Sequence, residues 1–139
     1  IAKYVVRMFQ DAGVVLERDY SFNPRRKGIE RFSDASDERR SQLIAENPLY
    51  GRIVCRCETV TEAEIIQAIH RPVGARTVDA IKRRVRAGTG RCQGGFCGPK
   101  VIEILARELK LPAAEVRKNL MGSYMLTGQI REEERCGDA

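Results

Sequence analysis

Four of the five cysteines in this 139-residue chain occur as two close pairs, and this pattern constrains the fold more than any other feature. Cys55 and Cys57 are separated by one residue and Cys92 and Cys97 by four, with thirty-four residues between the pairs. Thiolates are soft anionic ligands that favour iron–sulfur clusters, zinc or copper(I), and four of them are the usual requirement of a [2Fe–2S] cluster. The spacing therefore predicts one metal centre that joins two distant loops, with redox chemistry as the leading hypothesis.

The residues around both pairs suit loops that approach a metal centre and then enter helices. Five glycines lie between positions 88 and 98, where a backbone without Cβ atoms comes close to its ligand. Thr61 with Glu64 matches a helix capping box, and Pro99 is suited to the first turn of the next helix. Free N–H groups at helix N-termini stabilise negative charge, so both predicted helix starts favour an anionic centre.

Positive charge is concentrated around the same loops. The chain carries a net charge of +6, and the segment from Arg52 to Lys100 holds ten Lys or Arg residues against four acidic ones. That segment alone accounts for the whole excess, so a positive field surrounds the predicted anionic centre. We expect Arg56 and Arg91 to offset charge that the centre gains on reduction.

The residues around the two cysteine pairs resemble a known family. The stretches GRIVCRCETVTEAEI and GTGRCQGGFCGPKVIEIL resemble the bacterioferritin-associated-ferredoxin-like (BFD-like) [2Fe–2S] domain, most strongly from Tyr50 to Leu111. The four-residue gap in the second pair departs from the free-standing ferredoxin and suits the form fused to flavoenzymes. The resemblance implies that the iron ligands are Cys55, Cys57, Cys92 and Cys97.

The fused form occurs at the C-terminus of FAD-dependent glycerol-3-phosphate dehydrogenases and related amine or hydroxy-acid oxidoreductases. The resemblance therefore implies an electron-transfer portion whose cluster relays electrons from flavin to an acceptor protein, or to quinone through a partner subunit. The fragment alone is not expected to be catalytic. Gly88-x-Gly90 is followed by Gln93 where a dinucleotide-binding turn needs a third glycine, so FAD would be bound by an upstream domain of the same chain.

Other interpretations of the cysteines stay open at the level of sequence. Four thiolates also suit a structural zinc ion, which would make the chain an interaction or nucleic-acid-binding module, and zinc is a potential substitute metal. The run from Lys82 to Arg86 is basic, but without an aromatic stacking platform it indicates a solvated helix face rather than nucleic-acid binding. A redox role is equally compatible with a parent enzyme that oxidises an opine, an amino acid or another hydroxy acid.

Two further residues with ligand chemistry are left outside the predicted site. Cys136 lies in a charged segment without a partner at ligand spacing and is interpreted as a bystander thiol. His70 is the only histidine, which excludes a two-histidine Rieske centre, and it is expected at the exposed end of a helix.

Apolar periodicity predicts a mainly α fold in three parts. Residues 1–49 are interpreted as the end of an upstream flavoprotein domain and a linker, 50–121 as the [2Fe–2S]-binding domain, and 122–139 as a C-terminal tail. Helices are predicted from the first residues to near Gly13 and over 37–46, 61–70, 77–87 and 99–110, with another opened by Pro112 and bearing Val116 and Leu120.

The same patterns give expectations about location and assembly. The chain contains no signal segment or apolar run long enough to span a membrane, and five cysteines are too few for a stapled secreted domain. We therefore expect a cytoplasmic protein, with the flavoenzyme resemblance also allowing a peripheral membrane position. The apolar stripe on the first helix predicts that the isolated fragment can form a homodimer.

Overall fold

A computed structural model of the 139-residue protein describes residues 1–128. Within this range the fold is mainly α, as predicted, with a single two-stranded sheet. The elements in chain order are α1 (Ala2–Asp11), α2 (Asp37–Glu46), β1 (Ile53–Cys55), β2 (Val60–Thr61), α3 (Glu62–His70), α4 (Val78–Val85) and α5 (Gly98–Leu109). Short 3-10 turns lie at Phe32–Asp34, Pro48–Gly51 and Ala113–Glu115. No helix among residues 1–128 combines the length and apolarity needed to cross a membrane.

The main core lies where α3, α4 and α5 pack against one another. Ile65 and Ile69 of α3 meet Ile81 of α4 and Leu105 of α5, and all four side chains are fully buried. These residues recur at the three- and four-residue spacing that places apolar side chains on one face of a helix. The helices predicted over 61–70, 77–87 and 99–110 are therefore confirmed, and each has a buried apolar face.

Side-chain caps fix where the central helices begin. Thr61 accepts a hydrogen bond from the backbone N–H of Glu64, and the Glu64 carboxylate accepts one in return from the N–H of Thr61, which completes the predicted capping box. Thr77 caps α4 in the same way through the N–H of Ala80. Such caps satisfy N–H groups that have no partner inside the helix, so the two helices start one residue after the predicted positions.

The helix predicted after Pro112 is wrong. Only the 3-10 turn Ala113–Glu115 forms there, and although Val116 is buried as expected, Leu120 is exposed. The carbonyl oxygens of Arg117 and Lys118 instead accept hydrogen bonds from the first N–H groups of α4, at Val78 and Asp79. An extended backbone at this position provides acceptors for the unpaired N–H groups at the start of α4. In a continued helix, the same carbonyls would accept hydrogen bonds from N–H groups of their own helix instead.

Part of the region before the β-sheet packs onto the helical domain. Phe32, Leu43 and Tyr50 form a second, smaller core cluster with Ala63 of α3. The buried Glu64 carboxylate also accepts a hydrogen bond from the backbone N–H of Phe32. Residues 29–51 therefore share their core with the domain that follows, which agrees with their having too few apolar residues to fold alone.

Helix α1 has the predicted apolar stripe but buries none of it. Tyr4, Val5, Met8 and Phe9 all remain exposed, and no residue of the helix is buried. The helix ends at Asp11, close to the predicted end near Gly13. Its apolar face is therefore free to contact other protein surface.

Candidate metal centre

The fold brings the two cysteine pairs together from four positions in the chain. Cys55 ends β1, Cys57 lies in the turn that follows, Cys92 lies in the loop after α4, and Cys97 is the N-cap residue of α5. The Sγ atoms of Cys57 and Cys92 are 3.8 Å apart, and the thiol of Cys97 neighbours that of Cys55. All four are free thiols.

The thiols form an inner and an outer pair, each with one cysteine from each sequence motif. Cys55 and Cys97 are the inner pair and are both 1% exposed. Cys57 is exposed and Cys92 is half-buried, so the outer pair faces solvent. A centre held by both pairs would have one side in the protein core and one side open to a partner.

This arrangement of donors bears on which metal the site suits. Within residues 1–128, no three histidine, cysteine, aspartate or glutamate side chains are gathered closely enough for one metal ion. A single zinc ion needs its thiolates mutually within about 4 Å, given Zn–S bonds of about 2.3 Å in a tetrahedron. A [2Fe–2S] cluster divides four thiolates between two irons, so paired thiols fit the cluster and give no support to zinc.

The loop between Cys92 and Cys97 directs backbone donors at sulfur. The backbone N–H groups of Phe96 and Gly94, together with the thiol of Cys57 and the N–H of Gly95, lie near the Cys92 sulfur and hold its pKa below the ordinary value. Hydrogen bonds to a charged group favour the charged form, so this loop favours a thiolate at Cys92. The same donors would tune the potential of a bound cluster.

Burial acts in the opposite direction at Cys97. It raises the pKa of this thiol to about 11, and the neighbouring sulfur atoms of Cys55 and Cys92 add to the effect. Charged sulfur atoms in a low-dielectric site are unfavourable without a cation. A metal centre that binds here would therefore displace a proton from Cys97 and supply the missing positive charge.

Gly90 allows the two cysteine loops to touch. A Cβ atom placed on Gly90 would lie 2.2 Å from the Cβ of Cys57 and 3.4 Å from its Sγ. Real carbon atoms do not approach so closely, and the Cys57 Cβ cannot move without its backbone. The glycine predicted for close approach therefore has a specific neighbour, which is the other loop rather than only the metal.

Three ion pairs connect the cysteine loops and the helices around them, and none was expected from the sequence. The guanidinium of Arg86, at the end of α4, lies 2.7 Å from the carboxylate of Glu58, which follows Cys57. The buried Glu62 at the start of α3 lies 2.7 Å from Arg107 of α5 and 3.5 Å from Arg52 before β1. These partners are separated by up to 45 residues, and no sequence spacing indicates such pairs.

The other residues that the sequence singled out lie in the cysteine loops, at the end of α3 or outside the described range. Arg56 and Arg91 are exposed in the two cysteine loops. His70 is at the exposed end of α3, as predicted, with Nε2 2.7 Å from Glu108, whose pKa is lowered by that hydrogen bond. Cys136 lies outside residues 1–128.

A scan against protein families gives one match that covers all four thiols. Residues 53–107 match the family described as "BFD-like [2Fe-2S] binding domain". Those residues run from β1 through α3 and α4 into α5, and they include both loops that meet at Gly90. Residues 53–107 form a BFD-like [2Fe–2S] binding domain. The resemblance inferred from the sequence is confirmed.

Curated proteins similar to the chain carry this BFD-like domain within longer chains. Glycerol 3-phosphate dehydrogenase of Caloramator mitchellensis is 51% identical over 133 residues, which cover 96% of this chain and 28% of that protein. An opine oxidase subunit of Rhizobium meliloti is 38% identical, covering 72% of this chain and 18% of the relative. A subunit of the anaerobic glycerol-3-phosphate dehydrogenase of Escherichia coli K12 is 31% identical, covering 50% and 13%.

The chain thus spans less than a third of the length of these relatives. No solved structure matches it. The similarity to the Caloramator protein covers 133 residues and therefore extends beyond the 53–107 of the family match.

Proposed function

We propose that this chain is the electron-transfer portion of an FAD-dependent dehydrogenase, with a [2Fe–2S] cluster held by Cys55, Cys57, Cys92 and Cys97. The observation that carries the proposal is the meeting of these thiols in two pairs within a BFD-like domain. When bound, such a cluster supplies one-electron redox chemistry. The residues around the thiols then determine where electrons leave the domain.

The outer pair is the proposed point of electron exit. Cys57 is exposed, and Phe96, which directly precedes the buried Cys97 in the second loop, is 88% exposed, which is unusual for an aromatic side chain. Exposed Arg56 and Arg91 lie in the same two loops. An apolar contact residue flanked by positive charge suits docking of an acidic electron acceptor, since complementary charge steers association.

The proposed parent is most similar to glycerol-3-phosphate dehydrogenase, in which this chain would form the C-terminal part. The 51% identity to the Caloramator protein over nearly all of this chain supports that choice. Residues 1–49 would then belong to the end of the flavoprotein domain and its linker, and the exposed stripe of α1 would pack on that domain. We further propose a cytoplasmic position, with any membrane contact made through a partner subunit.

The similarity to an opine oxidase supports a second candidate substrate class for the parent enzyme. The BFD-like domain would have the same redox role there, so these residues do not discriminate between the two. A four-cysteine zinc module, by contrast, receives no support from the paired arrangement of the thiols.

The relay is tested in the full-length parent under anaerobic conditions. Addition of glycerol 3-phosphate should bleach the flavin and then reduce the cluster, and Cys57→Ser should leave flavin reduction intact while transfer to an external one-electron acceptor falls by at least about tenfold. The control is Cys136→Ser, outside the proposed ligand set. Unchanged acceptor reduction in Cys57→Ser would contradict the relay, and flavin bleaching by an opine but not by glycerol 3-phosphate would favour the second substrate class.

A further inference from the structure

A concave site that no cysteine lines lies where the segment before α2 meets the BFD-like domain. It is a cavity of about 280 Å³ between the segment before α2, the loop after α3 and the end of α4. Its lining consists of four arginines and two apolar residues: Arg26, Ile29, Arg31, Arg71, Arg84 and Val85. Three separate parts of the chain therefore contribute four arginines to the lining of one pocket.

The two apolar residues that line the pocket are part of the packed interior. Ile29 packs against the main core cluster, and Val85 belongs to it with 7% of its surface exposed. Electrostatic interactions are stronger beside such a low-dielectric surface than in open water. A charged ligand held here would be recognised by the arginines while part of it lies against protein rather than solvent.

Two of the guanidinium groups are fixed by uncharged partners. Arg84 donates from Nη2 to the carbonyl of Val73 at 2.8 Å and from Nη1 to the carbonyl of Ala80 at 3.2 Å. Arg71 donates to the carbonyl of Lys27. Carbonyl groups orient a guanidinium without neutralising it, and each guanidinium retains further donors for a ligand.

Negative charge is scarce around these arginines. Within residues 1–128, the only ion pair of the four is that of Arg31 with Asp34, at 3.8 Å. Two other arginines of the domain have a carboxylate partner at shorter distance, Arg86 with Glu58 and Arg107 with Glu62, both at 2.7 Å. Four like charges held together with one distant carboxylate repel one another, and an anion would relieve that repulsion.

We propose that this arginine pocket binds a small dianionic oxyanion of the phosphate class, either free phosphate or the phosphate group of an ester. Guanidinium forks match the oxygen atoms of such groups in bidentate hydrogen bonds. Donors from three parts of the chain suit a tetrahedral group better than a planar carboxylate, and a cavity just below the usual size of small-molecule sites suits a small ion. The proposal does not depend on the cluster or on the parent enzyme's substrate.

Binding at this pocket would also fasten the segment before α2 to α4. Arg26 and Arg31 belong to that segment, whereas Arg84 belongs to α4. A ligand that contacts both stabilises the docked arrangement, because it binds only when both sides of the pocket are present. Phosphate should therefore slow tryptic cleavage after Arg25 and Arg26.

The direct test is calorimetric titration of the cluster-loaded 139-residue chain with inorganic phosphate, at ionic strength held constant with chloride. Saturable one-site binding is expected, and Arg71→Gln or Arg26→Gln should weaken it by about tenfold, as expected for loss of a charge-assisted hydrogen bond. Arg26 makes no hydrogen bond or ion pair among residues 1–128, so its variant should fold normally. The matched control is Arg76→Gln, which removes an exposed arginine outside the pocket.

Two results would overturn the proposal. One is the absence of saturable phosphate binding, or a binding that Arg76→Gln and Arg26→Gln weaken equally. Either outcome would mean that phosphate responds to the net charge of the chain and not to this pocket. The other is binding of a glutamate-rich peptide that phosphate does not displace and that Arg26→Gln weakens, which would make the pocket a protein-docking site. A phosphate monoester that binds more tightly than inorganic phosphate would identify the ester as the source of the group.

Discussion

Replacing Gly90 with alanine is expected to prevent assembly of the cluster. The added Cβ would lie 2.2 Å from the Cβ of Cys57, so the two cysteine loops would have to move apart. That movement separates Cys57 from Cys92, whose sulfur atoms are 3.8 Å apart. We expect iron bound per chain after anaerobic reconstitution to fall by more than about tenfold, because changes even outside the ligands cost about 10–100-fold in metal affinity.

The matched control is Gly98→Ala in the same motif. A Cβ on Gly98 would meet nothing within 4 Å, and alanine is a better helix former than glycine at this first position of α5. Gly98→Ala should therefore bind iron as the unaltered chain does. Circular dichroism separates loss of the site from loss of the fold. Full iron binding by Gly90→Ala would show that the two loops need not touch.

Serine at either cysteine pair is expected to remove the cluster. Cys97→Ser tests the buried inner pair and Cys57→Ser the exposed outer pair. Serine supplies a harder, more basic oxygen in place of a soft thiolate, so iron and acid-labile sulfide should both fall by more than about tenfold. Both pairs are proposed to be necessary, since each would hold one side of the centre.

Cys136→Ser is the control for these variants, because the proposed ligand set leaves that residue out. Its iron and sulfide content should equal that of the unaltered chain. Loss of the cluster in Cys136→Ser, or its retention in Cys97→Ser, would require a different set of ligands. A cluster that persists in Cys57→Ser alone would indicate that the outer pair is replaceable by solvent or serine oxygen.

Local patterns in the sequence were sufficient for the central helices, but they did not indicate the short strand that ends at Cys55. The capping box at Thr61 and the apolar spacing of Ile65 and Ile69 depend only on nearby residues, and both are present in the fold. The helix expected after Pro112 fails for the opposite reason. Its backbone hydrogen bonds are set by α4, about forty residues earlier in the chain.

The candidate site likewise has some features that local sequence indicates and others that only the folded chain brings together. Soft ligands in two pairs and a glycine-rich loop indicated an iron–sulfur centre from composition and spacing alone. The division into an inner and an outer pair, the contact of Gly90 with Cys57, and the ion pair of Glu58 with Arg86 all depend on tertiary packing. The arginine pocket likewise unites residues from three segments, and no single stretch of sequence indicates it.

The most direct test of the iron–sulfur assignment is the metal content of the chain purified without oxygen. We would record its visible spectrum before and after dithionite and measure iron, acid-labile sulfide and zinc per chain. The proposed ligand set predicts about two irons and two sulfides, with visible absorbance that bleaches on reduction. Stoichiometric zinc without sulfide, in a colourless protein, would contradict it.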